Sequence, residues 1–162
     1  MNEAVETAIK METDAVAFYK DAAEKTEHPF GRKMFSSFIL DETRHLKMLE
    51  AILKGLDITI GDVSPKESIK TVFSELRGEM LERIHATTNE LDAIRLAMDM
   101  EDRGFKFYKM QSEKLTDPKE KALFIRLTKE EEEHFNILQN TYSFINNIGD
   151  WFLWEERGIL EG

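Results

Sequence analysis

Two copies of Glu-x-x-His, Glu42–His45 and Glu131–His134, stand 89 residues apart in the chain. Each follows a separate glutamate, Glu12 or Glu101, by 30 residues. On a helix, residues three apart share a face, so each Glu-x-x-His offers one carboxylate and one imidazole to the same neighbour. Four carboxylates turned toward one another in a core cannot all ionise without compensation. Either they share protons, or cations sit between them. A glutamate from each of two helices plus Glu-x-x-His from each of two others is the ligand set of a carboxylate-bridged dimetal centre. Mostly oxygen donors with one imidazole per ion suit iron or manganese rather than copper or structural zinc. The metal-free alternative is a buried, hydrogen-bonded polar network.

The elements that must carry these residues are helices. No period-two run is long enough for a sheet. The three prolines each stand where a helix can begin: Pro29 after His28, Pro65 in Ser64-Pro65-Lys66-Glu67, and Pro118 in Asp117-Pro118-Lys119-Glu120. The last two read as capping boxes with proline at the first helical position. Thr87–Glu90 has the same spacing, and Gly55 and Gly61 bracket a loop over 56–63. The pattern predicts helices over 2–27, 29–54, 89–115 and 118–147, with a connecting helix over 65–86. Two antiparallel hairpins joined by one long crossover make an all-α, four-helix bundle of the ferritin type.

The apolar seams place the candidate ligands inward. The expected seams are Phe35, Phe38, Glu42, His45, Leu49, Ile52 and Phe124, Leu127, Glu131, His134, Leu138, Thr141 on the second and fourth helices. On the first and third they are Val5, Ile9, Glu12, Val16, Tyr19, Ala23 and Ile94, Met98, Glu101, Phe105, Tyr108, Ser112. Steps of three and four mark the buried face of a bundle helix. The halves also align without a gap: Ala8/Ala97, Phe18/Phe107, Tyr19/Tyr108, Pro29/Pro118 and Phe35/Phe124 match in the same frame as the glutamates and histidines. The bundle is therefore an internal duplication with a pseudo-twofold axis.

Composition narrows the function. The chain has 162 residues, 41% hydrophobic and 33% charged, which is the balance of a globular domain. A net charge of −10 opposes binding to nucleic acid or anionic membrane. The absence of cysteine removes disulfides, thiolate clusters and thiol nucleophiles. No apolar run is long enough to span a membrane, and the start lacks a signal-type hydrophobic stretch, so a cytoplasmic location is expected.

On the paired Glu-x-x-His motifs, the seam glutamates and the pairs Phe18-Tyr19 and Phe107-Tyr108, the chain resembles the ferritin-like domain of the rubrerythrin family over about residues 5–145. The resemblance implies a di-iron centre with Glu42 and Glu131 as bridging carboxylates, Glu12 and Glu101 as terminal ligands, and His45 and His134 one per metal; manganese is an alternative. It implies an oxidoreductase that reduces hydrogen peroxide or dioxygen, a role in oxidative stress, with electrons from a separate donor protein such as a rubredoxin, and a homodimer. The alternative is a ferroxidase that handles iron. The chain departs from the family in having no cysteines for a rubredoxin-type iron. It also has Gly104, and Ala15 in the other repeat, where the family carries a further glutamate.

Gly104 has two readings, open space beside the metals or close helix packing. Tyr19 and Tyr108 are expected to pack in the core with their hydroxyls on ligand carboxylates, as positioning groups. His28 and His85 are expected at the surface. The run Lys129–Glu133 is expected to be a solvated face apart from Glu131, and the methionines at 11, 34, 48, 80, 98, 100 and 110 to be core filler. The division of the chain is expected to be a bundle over 1–147 and an aromatic tail over 148–162. The tail holds Trp151 and Trp154 and is expected to fold on the bundle or a dimer partner.

Overall fold

The computed structural model describes residues 3–61, 64–70 and 88–146. Helix α1 spans Glu3–Lys25 and α2 spans Pro29–Leu53. Helix α3 spans Thr88–Lys114 and α4 spans Pro118–Asn146. Asp117 caps α4 as expected, its Oδ1 accepting the backbone N–H groups of Lys119 (2.9 Å) and Glu120 (3.0 Å). Ser64 does the same for the crossover, its Oγ accepting from Glu67 N–H at 3.3 Å, and residues 65–70 are helical. Just past Lys54, helix α2 is closed off by Gly55, whose φ of 75° is a conformation that favours glycine. Leu56 N–H then reaches Ala51 O and Gly55 N–H reaches Ile52 O, closing the helix end.

Packing follows the hairpins. Helix α1 lies on α2 and α3 on α4, while α1 also meets α3 and α2 meets α4. Tyr19 bonds Glu101 and Tyr108 bonds Glu12, so α1 and α3 run antiparallel. His45 bonds Glu130 and His134 bonds Asp41, so α2 and α4 do too. With each hairpin antiparallel, the order is up-down-down-up, the ferritin-like arrangement that needs a long crossover. Two apolar clusters fill the bundle. One gathers Phe30, Met34, Phe35, Phe38, Ile69, Ile94 and Phe144, and the other Val5, Met48, Leu49, Leu123, Phe124 and Leu127. Tyr19 belongs to the first and Tyr108 to the second, so the polar cluster their hydroxyls touch lies between the two.

Several expectations need correction. The buried seam of α1 runs through Val5, Ala8, Glu12, Ala15, Tyr19 and Ala22, and that of α3 through Ile94, Ala97, Glu101, Gly104 and Tyr108. Ile9, Val16, Ala23, Met98 and Phe105 are only half-buried, flanking the seam. Ile52 is also half-buried. One residue of register turns a helix face by about 100°, and at these positions the centre of the bundle accepts only small side chains beside the tyrosines and glutamates. His28 is not a surface residue. It is 3% exposed, caps α2 by accepting Gly31 N–H at Nδ1 (3.4 Å), and its backbone N–H bonds Glu90 Oε2 at 2.8 Å. Met110 is exposed rather than core, because it projects from the outer face of α3. His85, Met80, the Thr87 box, most of the connecting helix and the tail from 148 lie outside the described residues.

Candidate metal centre

The six candidate ligands come together in the centre of the bundle, and all are buried. Among the described residues two groups have donor atoms within 4.8 Å of one another. One is Glu12, Glu42, His45 and Glu131, and the other is Glu42, Glu101, Glu131 and His134. Glu42 and Glu131 belong to both groups, while each remaining glutamate and histidine belongs to one. The imidazole centroids are 6.3 Å apart. His45 Nδ1 lies 3.4 Å from Glu12 Oε1 and 3.5 Å from Glu131 Oε1, and His134 Nδ1 lies 3.0 Å from Glu42 Oε1 and 3.3 Å from Glu101 Oε1.

The fit to a pair of cations rests on unsatisfied atoms. Glu12 Oε2, Glu42 Oε1, Glu101 Oε2, Glu131 Oε1 and the Nδ1 atoms of His45 and His134 are all buried without a hydrogen-bond partner. Each of the six residues thus contributes one orphaned donor atom, which a core of hydrogen-bonded polar groups does not leave. The other ends of the side chains are held. Tyr108 Oη donates to Glu12 Oε1 at 2.6 Å, and Tyr19 Oη donates to Glu101 Oε1. Each tyrosine therefore positions the glutamate of the opposite helix. His45 Nε2 meets Glu130 Oε1 at 2.9 Å, and His134 Nε2 meets Asp41 Oδ2 at 2.9 Å. A carboxylate on Nε2 fixes the ring and leaves Nδ1 free for a cation.

Without cations, the cluster relies on protons. Burial raises the Glu42 carboxyl well above the usual range, and the neighbouring Glu12 and Glu101 charges push it further. Burial pulls His45 down, but Glu12, Glu130 and Glu42 overcome it and push the imidazole up to about 10. His134 is also raised, burial being outweighed by Glu101 and Asp41. Burial drives both tyrosine hydroxyls up, helped by the glutamate charges, so they remain donors.

Glu130 and Asp41 are the residues missed in the sequence. Glu130 is fully buried, inside the run expected to be solvated. It accepts from His45, from both Arg44 Nη atoms (3.0 and 2.5 Å) and from Arg126 Nε at 2.8 Å. Burial raises its pKa, but those three partners overcome burial and hold it far below the carboxylate range. A signal was present: the same 89-residue frame aligns Asp41 with Glu130, each one residue before a candidate ligand.

A cavity of about 390 Å³ reaches the cluster from the α1–α3 side. Met11, Ala15, Met100 and Gly104 line it, with Glu12, Glu42, Glu101, Glu131 and Tyr108 among its other walls and the exposed Asp14 and Arg103 beside them. A Cβ at Gly104 would meet Glu131 Oε2 at 3.5 Å, an ordinary contact. Gly104 thus lines the cavity within ordinary contact range of Glu131 rather than sitting at a tight helix crossing. Among the described residues no helix is long and apolar enough to cross a membrane.

Comparison with curated proteins and with solved structures gives no significant match. The rubrerythrin family profile matches residues 3–142, nearly the whole chain and all six residues of the cluster. The chain belongs to the rubrerythrin family.

Proposed function

We propose that the chain is a non-haem di-iron oxidoreductase that reduces hydrogen peroxide or dioxygen with electrons from an external donor. The observation that carries this reading is the set of six orphaned donor atoms in one buried cluster, with an open cavity beside it. Glu12 and His45 would hold one ion, Glu101 and His134 the other, and Glu42 and Glu131 would be shared. Two bound iron(II) ions would supply the two electrons that, with two protons, reduce peroxide to water. Manganese suits the same donors.

The chain's own residues define the rest. Met11, Ala15, Met100 and Gly104 leave a path for a small oxidant and keep larger molecules away from the carboxylates. The apolar clusters on either side keep bulk water out of the bundle centre. Tyr108 holds a proton on Oη at the cavity wall, 2.6 Å from Glu12 Oε1, and so keeps that carboxylate oriented. No cysteine lies within these 162 residues, so the group that restores iron(II), such as a rubredoxin, would lie outside them.

Stopped-flow mixing of anaerobic iron(II)-loaded protein with peroxide, and separately with dioxygen, tests the proposal. Oxidation of two irons per peroxide consumed, lost in Glu131→Gln, is the expected result. Bound iron(II) that neither oxidant touches would contradict it. Continued consumption of excess iron(II) with oxide build-up would favour the ferroxidase reading.

A further inference from the structure

The duplication that builds the centre is kept in its inner layer and broken just outside it. Every candidate ligand, both tyrosines and the acids Asp41 and Glu130 have a counterpart in the 89-residue frame. The two arginines on Glu130 do not: Arg44 corresponds to Glu133, and Arg126 corresponds to Ser37. Arg44 grips Glu130 with both Nη atoms, and Arg126 Nε adds a third bond. Asp41 meets only the edge of this arrangement, Arg44 Nη2 at 3.4 Å. Glu133 is half-buried, and its Oε2 makes no hydrogen bond.

We infer that the two halves of the centre are inequivalent, with a divalent ion entering the His134–Asp41 half ahead of the His45–Glu130 half, and that Arg44 and Arg126 set this order as positioning residues. The inference rests on the dimetal reading above. Two physical effects share one sign. First, an imidazole is a better ligand when its far N–H donates to a strongly charged carboxylate. The negative charge of Glu130 is shared among His45, Arg44 and Arg126, whereas that of Asp41 is directed mainly at His134. Second, two partly exposed guanidinium groups lie behind the His45 ring on Glu130, and their positive charge opposes an incoming cation. Substituting the carboxylate partner of a ligand histidine changes metal affinity by about 10–100-fold, so an ionised partner whose charge two guanidinium groups compensate is expected to produce a gap of about tenfold.

Anomalous diffraction at the cobalt edge reads the order directly. Metal-stripped protein would be given one equivalent of Co(II) per chain without oxygen and then crystallised. The expected occupancy is about tenfold higher at His134 than at His45. Arg126→Gln leaves Glu130 held by Arg44 and should bring the two occupancies together. Asp41→Asn keeps an acceptor for His134 Nε2 but removes its charge, and should shift cobalt toward His45. Equal occupancies in the unmodified protein, a preference for the His45 half, or a ratio unmoved by Arg126→Gln would overturn the inference. Cobalt in neither half would overturn the dimetal reading itself.

Discussion

The pair α1–α3 and the pair α2–α4 build the same centre in different ways. Helices α1 and α3 each supply one glutamate and one tyrosine, and between these they carry Ala15 and Gly104. The cavity opens on that side. Helices α2 and α4 supply the two shared glutamates, both histidines and the acids behind them, with Arg44 and Arg126 closing the outer layer. One pair leaves room while the other holds most of the charge. On the dimetal reading, access falls to α1 and α3 alone, whereas affinity draws on all four helices with the larger share on α2 and α4.

The largest expected effect falls on the charge-holding pair. Glu42→Gln removes a carboxylate shared by both halves, and should weaken binding of both ions by more than the roughly 100-fold upper range seen for outer partners. An anaerobic Mn(II) titration would show it. If only one ion were weakened, Glu42 would not be shared and the two-pair division would fail.

Proton competition acts on the same pair. His45, pushed up to about 10, and His134, also raised, carry protons at neutral pH in the metal-free protein. A cation must displace them, so affinity should rise with pH until it passes the His45 value. With one imidazole proton displaced per ion, each ion's affinity changes about tenfold per pH unit near neutrality, and the raised Glu42 carboxyl adds to the count. Calorimetry in buffers of different ionisation enthalpy counts the protons. No release would mean that the histidines bind no cation.

The open pair should respond in rate rather than affinity. Gly104→Leu fills the space before Glu131, and should slow reaction with peroxide by about tenfold, or 1.4 kcal/mol, with metal stoichiometry unchanged. Gly104→Ala makes only ordinary contacts of 3.5–3.8 Å with Glu131, and should stabilise α3 by up to about 1 kcal/mol in denaturant unfolding. A Gly104→Leu variant that lost metal instead would erase the separation between access and affinity.

Tyr19→Phe and Tyr108→Phe sharpen the comparison further. Each leaves a buried glutamate oxygen without its donor, at a cost of about 1–3 kcal/mol. Unfolding of the metal-free variants measures this, and both should still bind two ions.

Much of this architecture is legible in the sequence. Pro29, Asp117-Pro118 and Gly55 mark helix ends by backbone chemistry that acts within a few residues, and the helices begin and end there. The candidate ligands were legible because a carboxylate and an imidazole at core spacing, repeated in one frame, are hard to explain as surface. The α1 and α3 seams were less so. Choosing Ile9 and Val16 over Ala8 and Ala15 follows bulk, but the bundle centre there has room only for small residues. Glu130 was hidden because a run of four glutamates carries no hydropathy signal. What buries it is Arg44 from another helix, together with Arg126 one turn away. His28 is not legible as buried, because the carboxylate on its backbone N–H, Glu90, lies far along the chain.

The most direct test of the central claim is an anaerobic Fe(II) titration of metal-stripped protein, counting tightly bound ions per chain. The account predicts saturation at two, with loss of tight binding in a Glu42→Gln, Glu131→Gln double variant. A chain that binds no iron tightly, or a double variant that binds as well as the unmodified protein, would contradict it.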